Sequence, residues 1–211
     1  MGGPYANLFL NQMTQTWKDK YIHSFTSFSG AFGGAATAPL SIIGLLNMDQ
    51  YLDPKILRNV IQSYGSIVWL SPSYQVYKDS VLVWTPTKNY TAADFIELYN
   101  DANAQLSAQI LTDIDKYREI LDAPGVPTNC IMGIIINIEY VLIFCTGYNV
   151  STLYSFGYNE TNYYDYPAYY EMVDGDGTVS TQGLDVCSEW VIKIICFCIY
   201  CFTSQESKVI L

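Results

Sequence analysis

The chain has 211 residues, half of them hydrophobic, and a formal net charge of −10 at pH 7. This length predicts one large domain with a smaller insertion, and the hydrophobic content excludes a disordered chain. Ten basic residues among twenty acidic ones form no patch that could neutralise phosphates, which excludes nucleic acid as a partner. The chain has one histidine, His23. A Ser-His-Asp triad must use His23 or lie partly outside this chain.

The first elements predict a mixed α/β fold. Apolar residues recur at helical spacing from Tyr5 to Trp17, and Pro4 suits a first helical turn, so we expect a helix that ends near Lys20. Residues 21–28 are mostly apolar, β-branched or aromatic, which predicts a buried strand. A helix followed directly by a strand is typical of α/β proteins.

A mainly helical segment follows this strand. Residues 30–34 are rich in glycine but lack the G-K-[ST] ending of a phosphate-binding loop, which favours a turn. Residues 53–64 begin with Asp-Pro and carry one apolar face, as an amphipathic helix does. A capping box at 91–94 precedes a helix at 95–99, and a longer helix is expected over 106–121.

Proline and glycine at residues 123–127 end the helical segment. Three later runs are rich in β-branched and aromatic residues and predict strands: 128–136, 140–144 and 168–173. Residues 191–202 are the most apolar stretch, but they include Lys193 and are fewer than the roughly 20 residues that a membrane helix needs. No membrane span is therefore expected.

The cysteines indicate whether the chain binds a metal, and the N-glycosylation sequons indicate the cellular compartment in which it resides. Half of the six cysteines crowd the C-terminal run: Cys196, Cys198 and Cys201. No second Cys or His cluster completes four ligands, so no metal site is expected. The first twenty residues have no signal peptide pattern. Three N-x-[ST] sequons, which are meaningful only in a secretory lumen, stand at Asn89, Asn149 and Asn159.

The densest chemical motif is Asp-Gly-Asp-Gly-Thr-Val at residues 174–179, directly after a predicted strand. A calcium loop is disfavoured, because Val179 stands at the sixth position, where glycine is required, and the twelfth position lacks glutamate. Two interpretations stay open. The turn holds the acid of a catalytic triad, aimed at an imidazole, or it is a hydrated hairpin corner.

Several segments together resemble the lecithin:cholesterol acyltransferase family. They stand in the family's order and extend over about residues 1–190, which makes the set specific although each segment is short. The segments are Gln15–Ile22, Ser27–Gly34, Thr85–Thr91, Ala123–Val126 with Cys130, Asp174–Val179 and Cys187–Trp190.

The resemblance implies an α/β-hydrolase fold, incomplete at its N-terminus, with a helical cap and no cofactor. Residues 1–30 and 125–190 would form the hydrolase core, residues 31–124 the cap, and residues 191–211 a divergent apolar tail. The implied partners are a phospholipid and an acyl acceptor, which is a sterol, another alcohol or water. Peripheral contact with a membrane or lipoprotein surface and a lysosomal or extracellular location are implied as well.

The resemblance also implies roles for specific residues. In the family, a serine in G-x-S-x-G attacks the sn-2 ester of a phospholipid and forms an acyl-enzyme. The second aspartate of the D-G-D motif holds the catalytic histidine, which implies Asp176 as the triad acid. Cys130 and Cys187 match a disulfide near the active site that would brace two strand ends, and Asn89 matches a glycosylation position.

The serine and histidine of the triad have no match in this sequence. Met1-Gly2-Gly3 is similar to the end of the elbow H-S-M-G-G, so the serine would directly precede Met1, whose amide position would form half of the oxyanion hole. His23 is expected to be an ordinary strand histidine. We therefore expect the chain alone to be inactive. The alternatives are a non-catalytic lipid- or protein-binding remnant and a gene fragment without a stable fold.

Overall fold

A computed structural model of the chain describes residues 1–44, 54–131, 135–138, 141–144, 152–157 and 170–190. Several sequence predictions fall outside these residues. They are the sequons at Asn149 and Asn159, the cysteines Cys196, Cys198 and Cys201, and the apolar tail 191–211.

Helices and strands are mixed along the described chain, which confirms the predicted α/β character. The helices are α1 Gly2–Gln12, α2 Gln15–Tyr21, α3 Thr37–Ile43, α4 Pro54–Ile61, α5 Gly65–Trp69, α6 Tyr74–Tyr77, α7 Phe95–Asp101, α8 Gln105–Arg118 and α9 Thr181–Asp185, with 3₁₀ helices at Ala92–Asp94 and Val186–Trp190. The strands are β1 Phe25–Phe28, β2 Val83–Trp84, β3 Asn89–Tyr90, β4 Thr128–Ile131, β5 Ile135–Ile138, β6 Val141–Phe144, β7 Thr152–Gly157 and β8 Tyr170–Val173.

The chain divides into two compact units. The first unit is Met1–Phe32, Ile120–Thr152 and Val173–Leu211, and the second unit is Gly33–Glu119 and Leu153–Met172. The long segment of the second unit begins and ends within a few residues of the predicted insertion, 31–124. The second unit also contains Leu153–Met172, which we had assigned with residues 125–190. The assignment of hydrolase core and cap stays a prediction.

The prediction of one continuous N-terminal helix is wrong, because the structure has two helices there. A break at Met13 and Thr14 separates α1 from α2, and the Thr14 side chain accepts a hydrogen bond from the backbone N–H of Trp17 at 3.3 Å. This is the geometry of an N-cap, which starts a new helix. Because α2 continues to Tyr21, β1 begins four residues later than predicted. His23 is therefore exposed in the segment before the strand and not within it.

Strand β1 pairs in parallel with β4, and Ser27 lies opposite Cys130. The backbone N–H of Ser29 extends this ladder to the Ile131 carbonyl at 2.7 Å. Parallel neighbours need a long crossover connection, and here the connection includes the whole long segment of the second unit. The two other described sheets are β3-β2-β7-β8 and the antiparallel pair β5-β6.

Polar side chains of α1 and α2 hold the proline-rich segment that precedes β4. Asn7, which is only 1% exposed, donates to the Asp122 carbonyl at 3.2 Å, and Asn11 donates to the same oxygen at 3.0 Å. The buried Lys18 donates to the Pro124 carbonyl at 2.9 Å. Carbonyls without a ladder partner need such donors when they are removed from water, so these contacts fix the route of the chain into β4.

The second unit has one hydrophobic core, to which α3, α7 and α8 contribute together with strands β2 and β7. Its largest fully buried side chains include Tyr77, Tyr99, Phe95 and Phe156. The predicted capping box is confirmed: the side chain of Asp94 accepts from the backbone N–H of Thr91 at 2.8 Å. The predicted helix at 106–121 is confirmed as α8, which ends at Arg118.

Arg118 is a buried charge that links the end of α8 to the loop before α6. Its side chain is 4% exposed, and its guanidinium contacts Asp115 at 2.8 Å and Glu119 at 3.0 Å. It also donates to the backbone carbonyls of Ser71 at 2.7 Å and Pro72 at 3.2 Å. A buried guanidinium requires such complete pairing, since desolvation penalises it strongly.

We expect Arg118→Met to lower the free energy of unfolding by about 3 kcal/mol, because it leaves the Ser71 and Pro72 carbonyls without their donor and removes the cation that is paired with the partly buried Glu119. Urea denaturation followed by circular dichroism measures the change. Lys116→Met is the matched control, because Lys116 is exposed on the same helix, and we expect it to change stability by less than about 0.5 kcal/mol. Equal effects of the two substitutions would contradict the structural role of Arg118.

Candidate active site

The acidic turn, residues 174–180, lies between β8 and α9. The Asp176 carboxylate is half-buried, and its Oδ1 accepts hydrogen bonds from the backbone N–H of Thr178 at 2.9 Å and of Val179 at 2.7 Å. Its own backbone N–H donates to the Val179 carbonyl at 3.1 Å. Asp174 is exposed, and its carbonyl accepts from Thr181. Of the two aspartates, Asp176 therefore has the fixed carboxylate.

Gly177 and Thr152 complete the turn. Gly177 has φ +92°, a left-handed conformation that strongly favours glycine. Its backbone N–H donates to the Thr152 side chain at 2.9 Å, and Thr152 is fully buried at the start of β7. We did not identify Thr152 from the sequence, since it is distant along the chain and belongs to no motif. Its hydroxyl ties the turn to the strand beside it.

The chemistry of the turn depends on which carboxylate oxygen is used. Both backbone bonds end on Oδ1, so Oδ2 is the oxygen that a further donor, such as an imidazole N–H, would use. An antiparallel bridge between Gly175 and Ser180 closes the corner, which is the hairpin geometry of the second interpretation. Farther on, partial burial raises the pKa of Asp185 in α9. The geometry is compatible with a triad acid as well as with a corner.

The N-terminus of α1 lies close to the end of β1. Met1 is the N-cap residue, and its carbonyl accepts from the Tyr5 N–H at 3.4 Å. A Cβ on Gly3 would lie 3.2 Å from the Phe32 ring and 3.3 Å from the Ser27 hydroxyl, which is tighter than most Cβ contacts, so α1 packs closely against this region at Gly3. Ser27 is 4% exposed, and its hydroxyl has no hydrogen-bond partner among the described residues.

Aromatic packing connects this region to the residues after the acidic turn. The Phe32 ring meets the Trp190 ring edge-on, with centroids 4.7 Å apart. Trp190 donates its indole N–H to the Leu121 carbonyl at 3.0 Å. Ser29, at the turn that leaves β1, has φ 44°, a left-handed conformation that is uncommon for residues other than glycine.

A disulfide joins Cys130 and Cys187, whose Cα atoms are 6.0 Å apart. Both cysteines are buried. The bridge does not brace two strand ends, as we had expected. Cys130 lies in β4, whereas Cys187 lies in the 3₁₀ helix Val186–Trp190 that follows α9. The disulfide therefore anchors a helix to the parallel strand pair.

The predicted site residues are only partly brought together. Ring packing and the disulfide link the start of α1, through Phe32, to the 3₁₀ helix and β4, all within the first unit. No hydrogen bond or ring contact among the described residues joins Asp176 to Met1. Asn89 lies in β3 of the second unit, where it is exposed. Their roles in catalysis and glycosylation therefore stay predictions.

The fold and the site define a disulfide-containing protein of the mixed α/β class, with a fixed carboxylate in a turn after a strand. The chain belongs to the lecithin:cholesterol acyltransferase family, whose sequence profile matches residues 1–119. This is the family that the ordered sequence segments indicate.

Individual relatives extend the similarity beyond that range. The chain is 32% identical to the lysosomal phospholipase A and acyltransferase of Mus musculus over 192 residues, and 29% identical to the phosphatidylcholine-sterol acyltransferase of Gallus gallus over 195 residues. Each alignment includes 90% of this chain and 43% of the relative. The acidic turn lies within them, because only a tenth of the chain is outside. The chain thus spans less than half the length of these relatives.

A separate structural feature concerns membranes. In the part of the chain that the structure describes, no helix has the length and apolar character required to cross a bilayer.

Proposed function

We propose that this chain supplies the acid component of a lipid acyltransferase or phospholipase that acts on phospholipid acyl esters through a serine acyl-enzyme. The observation that carries the proposal is the Asp176 carboxylate, fixed by two backbone amides in a turn after a strand. Membership of the lecithin:cholesterol acyltransferase family supports the lipid substrate class. The mouse relative is a phospholipase and acyltransferase by name.

In the proposed mechanism, Asp176 acts on a histidine. Its Oδ2 accepts the imidazole N–H, which holds the ring in the tautomer that can take the serine proton, and its charge stabilises the imidazolium that forms. Oδ1 is already committed to two backbone amides, so the carboxylate does not rotate when the histidine becomes charged. Such preorganisation lowers the cost of reorganisation during the reaction.

The start of α1 has the second proposed role. The N-terminus of a helix carries partial positive charge, which favours a developing oxyanion beside it. Met1 is the N-cap of α1, and the close packing at Gly3 holds this helix end against β1. We assign to the Met1 amide position the oxyanion-stabilising role.

In the proposed mechanism, the serine nucleophile and the histidine base are not residues of this sequence. His23 is the only histidine of the chain, and it is exposed before β1. We therefore propose that the chain alone does not turn over phospholipid. This composition also favours the alternative function, a non-catalytic lipid- or protein-binding remnant of such an enzyme.

A chimera tests the proposal. The acidic turn with its flanks, residues 173–183, replaces the matching segment of the mouse lysosomal relative, and fatty acid release from phospholipid vesicles is measured. Activity within about tenfold of the parent enzyme, about 1.4 kcal/mol in transition-state stabilisation, supports a functional acid turn. Robust turnover by the 211-residue chain itself would contradict the proposal that this chain does not supply the catalytic serine and histidine.

We propose passage through the secretory pathway, toward a lysosome or the extracellular space. The buried disulfide supports this, because such bonds persist in oxidising compartments. Asn89 is an exposed acceptor in an N-x-[ST] sequon. In cells that secrete the chain behind an added signal peptide, we expect Asn89→Gln to remove one endoglycosidase-sensitive glycan. Electrophoretic mobility measures the loss, and unchanged mobility would contradict glycosylation at Asn89.

A further inference from the structure

A cavity of about 380 Å³ lies in the second unit, where one face of α8 meets residues 74–75 of α6 and residues from segment 92–96. All of these elements belong to residues 54–131, which the structure describes without a gap. The volume is at the lower end of the roughly 300–1,000 Å³ of small-molecule sites. Neither Asp176 nor Met1 lines this space. Below, it is called the α8 cavity.

The inner end of the α8 cavity is apolar. Phe95 and Leu111 are each 1% exposed, and Ala92 is 4% exposed. All three belong to the hydrophobic core of the second unit, so they form a packed wall. An apolar group that lies against this wall leaves water, which is favourable by about 25 cal/mol per Å² of apolar surface removed.

The other end of the α8 cavity is acidic. Leu111, Asp115 and Glu119 are four apart, and the Glu119 backbone N–H donates to the Asp115 carbonyl at 3.2 Å, so the three residues follow one face of the helix. Arg118 lies beside them, but its side chain is only 4% exposed, against 44% for Asp115 and 20% for Glu119. An occupant therefore meets the carboxylates, and one positive and two negative charges leave this end with a net charge of −1.

Of the two carboxylates, Asp115 is the one with an oxygen to offer. Glu119 already accepts from the Ser73 hydroxyl at 2.5 Å and from the Tyr74 backbone N–H at 3.2 Å, as well as from Arg118. Asp115 accepts from Arg118 Nε through Oδ1 at 2.8 Å. Among the described residues, no donor bonds to Asp115 Oδ2. A carboxylate oxygen has two acceptor sites, so Oδ2 is the position for a donor on an occupant.

The open side of the α8 cavity adds an aromatic ring. Tyr74 is 45% exposed and Ile96 is 37% exposed, and both line the cavity. An organic cation within about 6 Å of an aromatic ring face is attracted to it. Lys78 and Asp79, which follow Tyr74 in the chain, carry opposite charges and leave the charge balance unchanged. The cavity thus combines an apolar wall, a carboxylate oxygen and an aromatic ring.

We infer that the α8 cavity binds a small amphipathic organic cation. Its ammonium group donates to Asp115 Oδ2, and its apolar group lies against Phe95 and Leu111. A neutral molecule of the same shape lacks the charge-assisted hydrogen bond, and an anion is repelled by the carboxylates. This site goes beyond the proposed function, because it lies within the second unit and does not depend on the acid role of Asp176.

The test is a titration of the full 211-residue chain, followed by ¹H–¹⁵N NMR, with three probes of similar size. They are phenethylammonium, phenethyl alcohol and phenylacetate, which are positive, neutral and negative. We expect phenethylammonium to bind at least about tenfold more tightly than the alcohol, and phenylacetate to bind most weakly. The amide signals that shift should be those of residues 74–75, 92–96 and 111–119.

Asp115→Asn tests the proposed contact. The asparagine keeps an oxygen for Arg118 Nε but removes the charge, so we expect phenethylammonium to bind only as well as the alcohol. Asp113→Asn is the matched control, because it removes the same charge from the same helix. Asp113 is exposed, accepts from Gln109 at 3.2 Å and does not line the cavity. We expect it to change the affinity by less than about twofold.

A second variant keeps the test decisive if Asp115→Asn fails to fold, which thermal unfolding by circular dichroism reveals. Ala93 is exposed at the open side of the α8 cavity, and Ala93→Trp obstructs that side without changing any charge. We expect it to weaken the binding of phenethylammonium at least about tenfold, since the apolar wall is then blocked.

Four outcomes would overturn the inference. Equal affinities for phenethylammonium and phenethyl alcohol would show a cavity that selects only for apolar character. Equal losses in Asp115→Asn and Asp113→Asn would show a general attraction to an acidic chain. Signal shifts confined to other residues would place the binding elsewhere, and the absence of binding by the folded wild type would reject the site. Catalysis is not measured, so none of these results bears on Asp176.

Discussion

Asp176→Asn in the chimera is expected to lower kcat by about ten-thousand-fold, the loss seen when an amide replaces a triad acid. The asparagine keeps an oxygen at Oδ1 that accepts from the Thr178 and Val179 amides, so the turn is preserved. At Oδ2, however, it presents an NH₂ group, which cannot accept the imidazole N–H and selects the wrong tautomer. The initial rate of fatty acid release measures the change.

Asp174→Asn is the matched control for this prediction. It changes the other aspartate of the same turn, whose side chain is exposed and whose carbonyl, unaffected by the substitution, accepts from Thr181. We expect a change in kcat of less than about tenfold, or 1.4 kcal/mol. If Asp176→Asn retained full kcat in a folded chimera, the hairpin-corner interpretation would replace the catalytic one. A large loss at Asp174 alone would exchange the two roles.

Removal of the disulfide is the second large effect. Cys130 and Cys187 are 57 residues apart, and closure of a loop of that length in the unfolded chain corresponds to about 4 kcal/mol of stabilisation in the chain-entropy model. We expect Cys130→Ser/Cys187→Ser to lower the free energy of unfolding by about that amount. Guanidinium denaturation of the oxidised chain measures it.

Reduction provides the control for the disulfide. Dithiothreitol should destabilise the wild type toward the level of the double variant and leave the double variant unchanged. Cys145→Ser changes a cysteine that is not part of this bridge, and we expect it to keep the sensitivity of the wild type to reduction. If reduction shifted the denaturation midpoint of the double variant as strongly as that of the wild type, a bond other than Cys130–Cys187 would account for the stabilisation.

Sequence patterns predicted the features that depend on neighbouring residues. The capping box at Thr91 and Asp94 is such a case, because its hydrogen bonds connect residues three apart. The tight turn after β8 is another, since Gly177 is at φ +92°. The helix break at Thr14 was missed, although threonine is a common N-cap, because the apolar spacing continues through it from Tyr5 to Trp17.

Sequence patterns did not predict contacts between segments that are distant along the chain. Thr152 carries no motif, yet it holds the Gly177 amide from 25 residues away. The helix predicted over residues 53–64 is present but ends at Ile61, so Tyr64 lies beyond it, and periodicity does not say which part of a wide apolar face meets a neighbour. The structure buries Ile61 and leaves Ile56 and Val60 exposed, because packing orients the helix.

The sequence by itself indicated the α/β class and the acidic turn through local patterns, and its ordered segments indicated the family, whose resemblance implied that Cys130 and Cys187 pair. Only the tertiary structure decided which aspartate is fixed, and by which oxygen, since the Asp176 bonds depend on the path of the backbone. It also placed Cys187 in a 3₁₀ helix and left Ile56 and Val60 of α4 exposed. Both depend on packing between residues far apart in the chain, where local propensity has no influence.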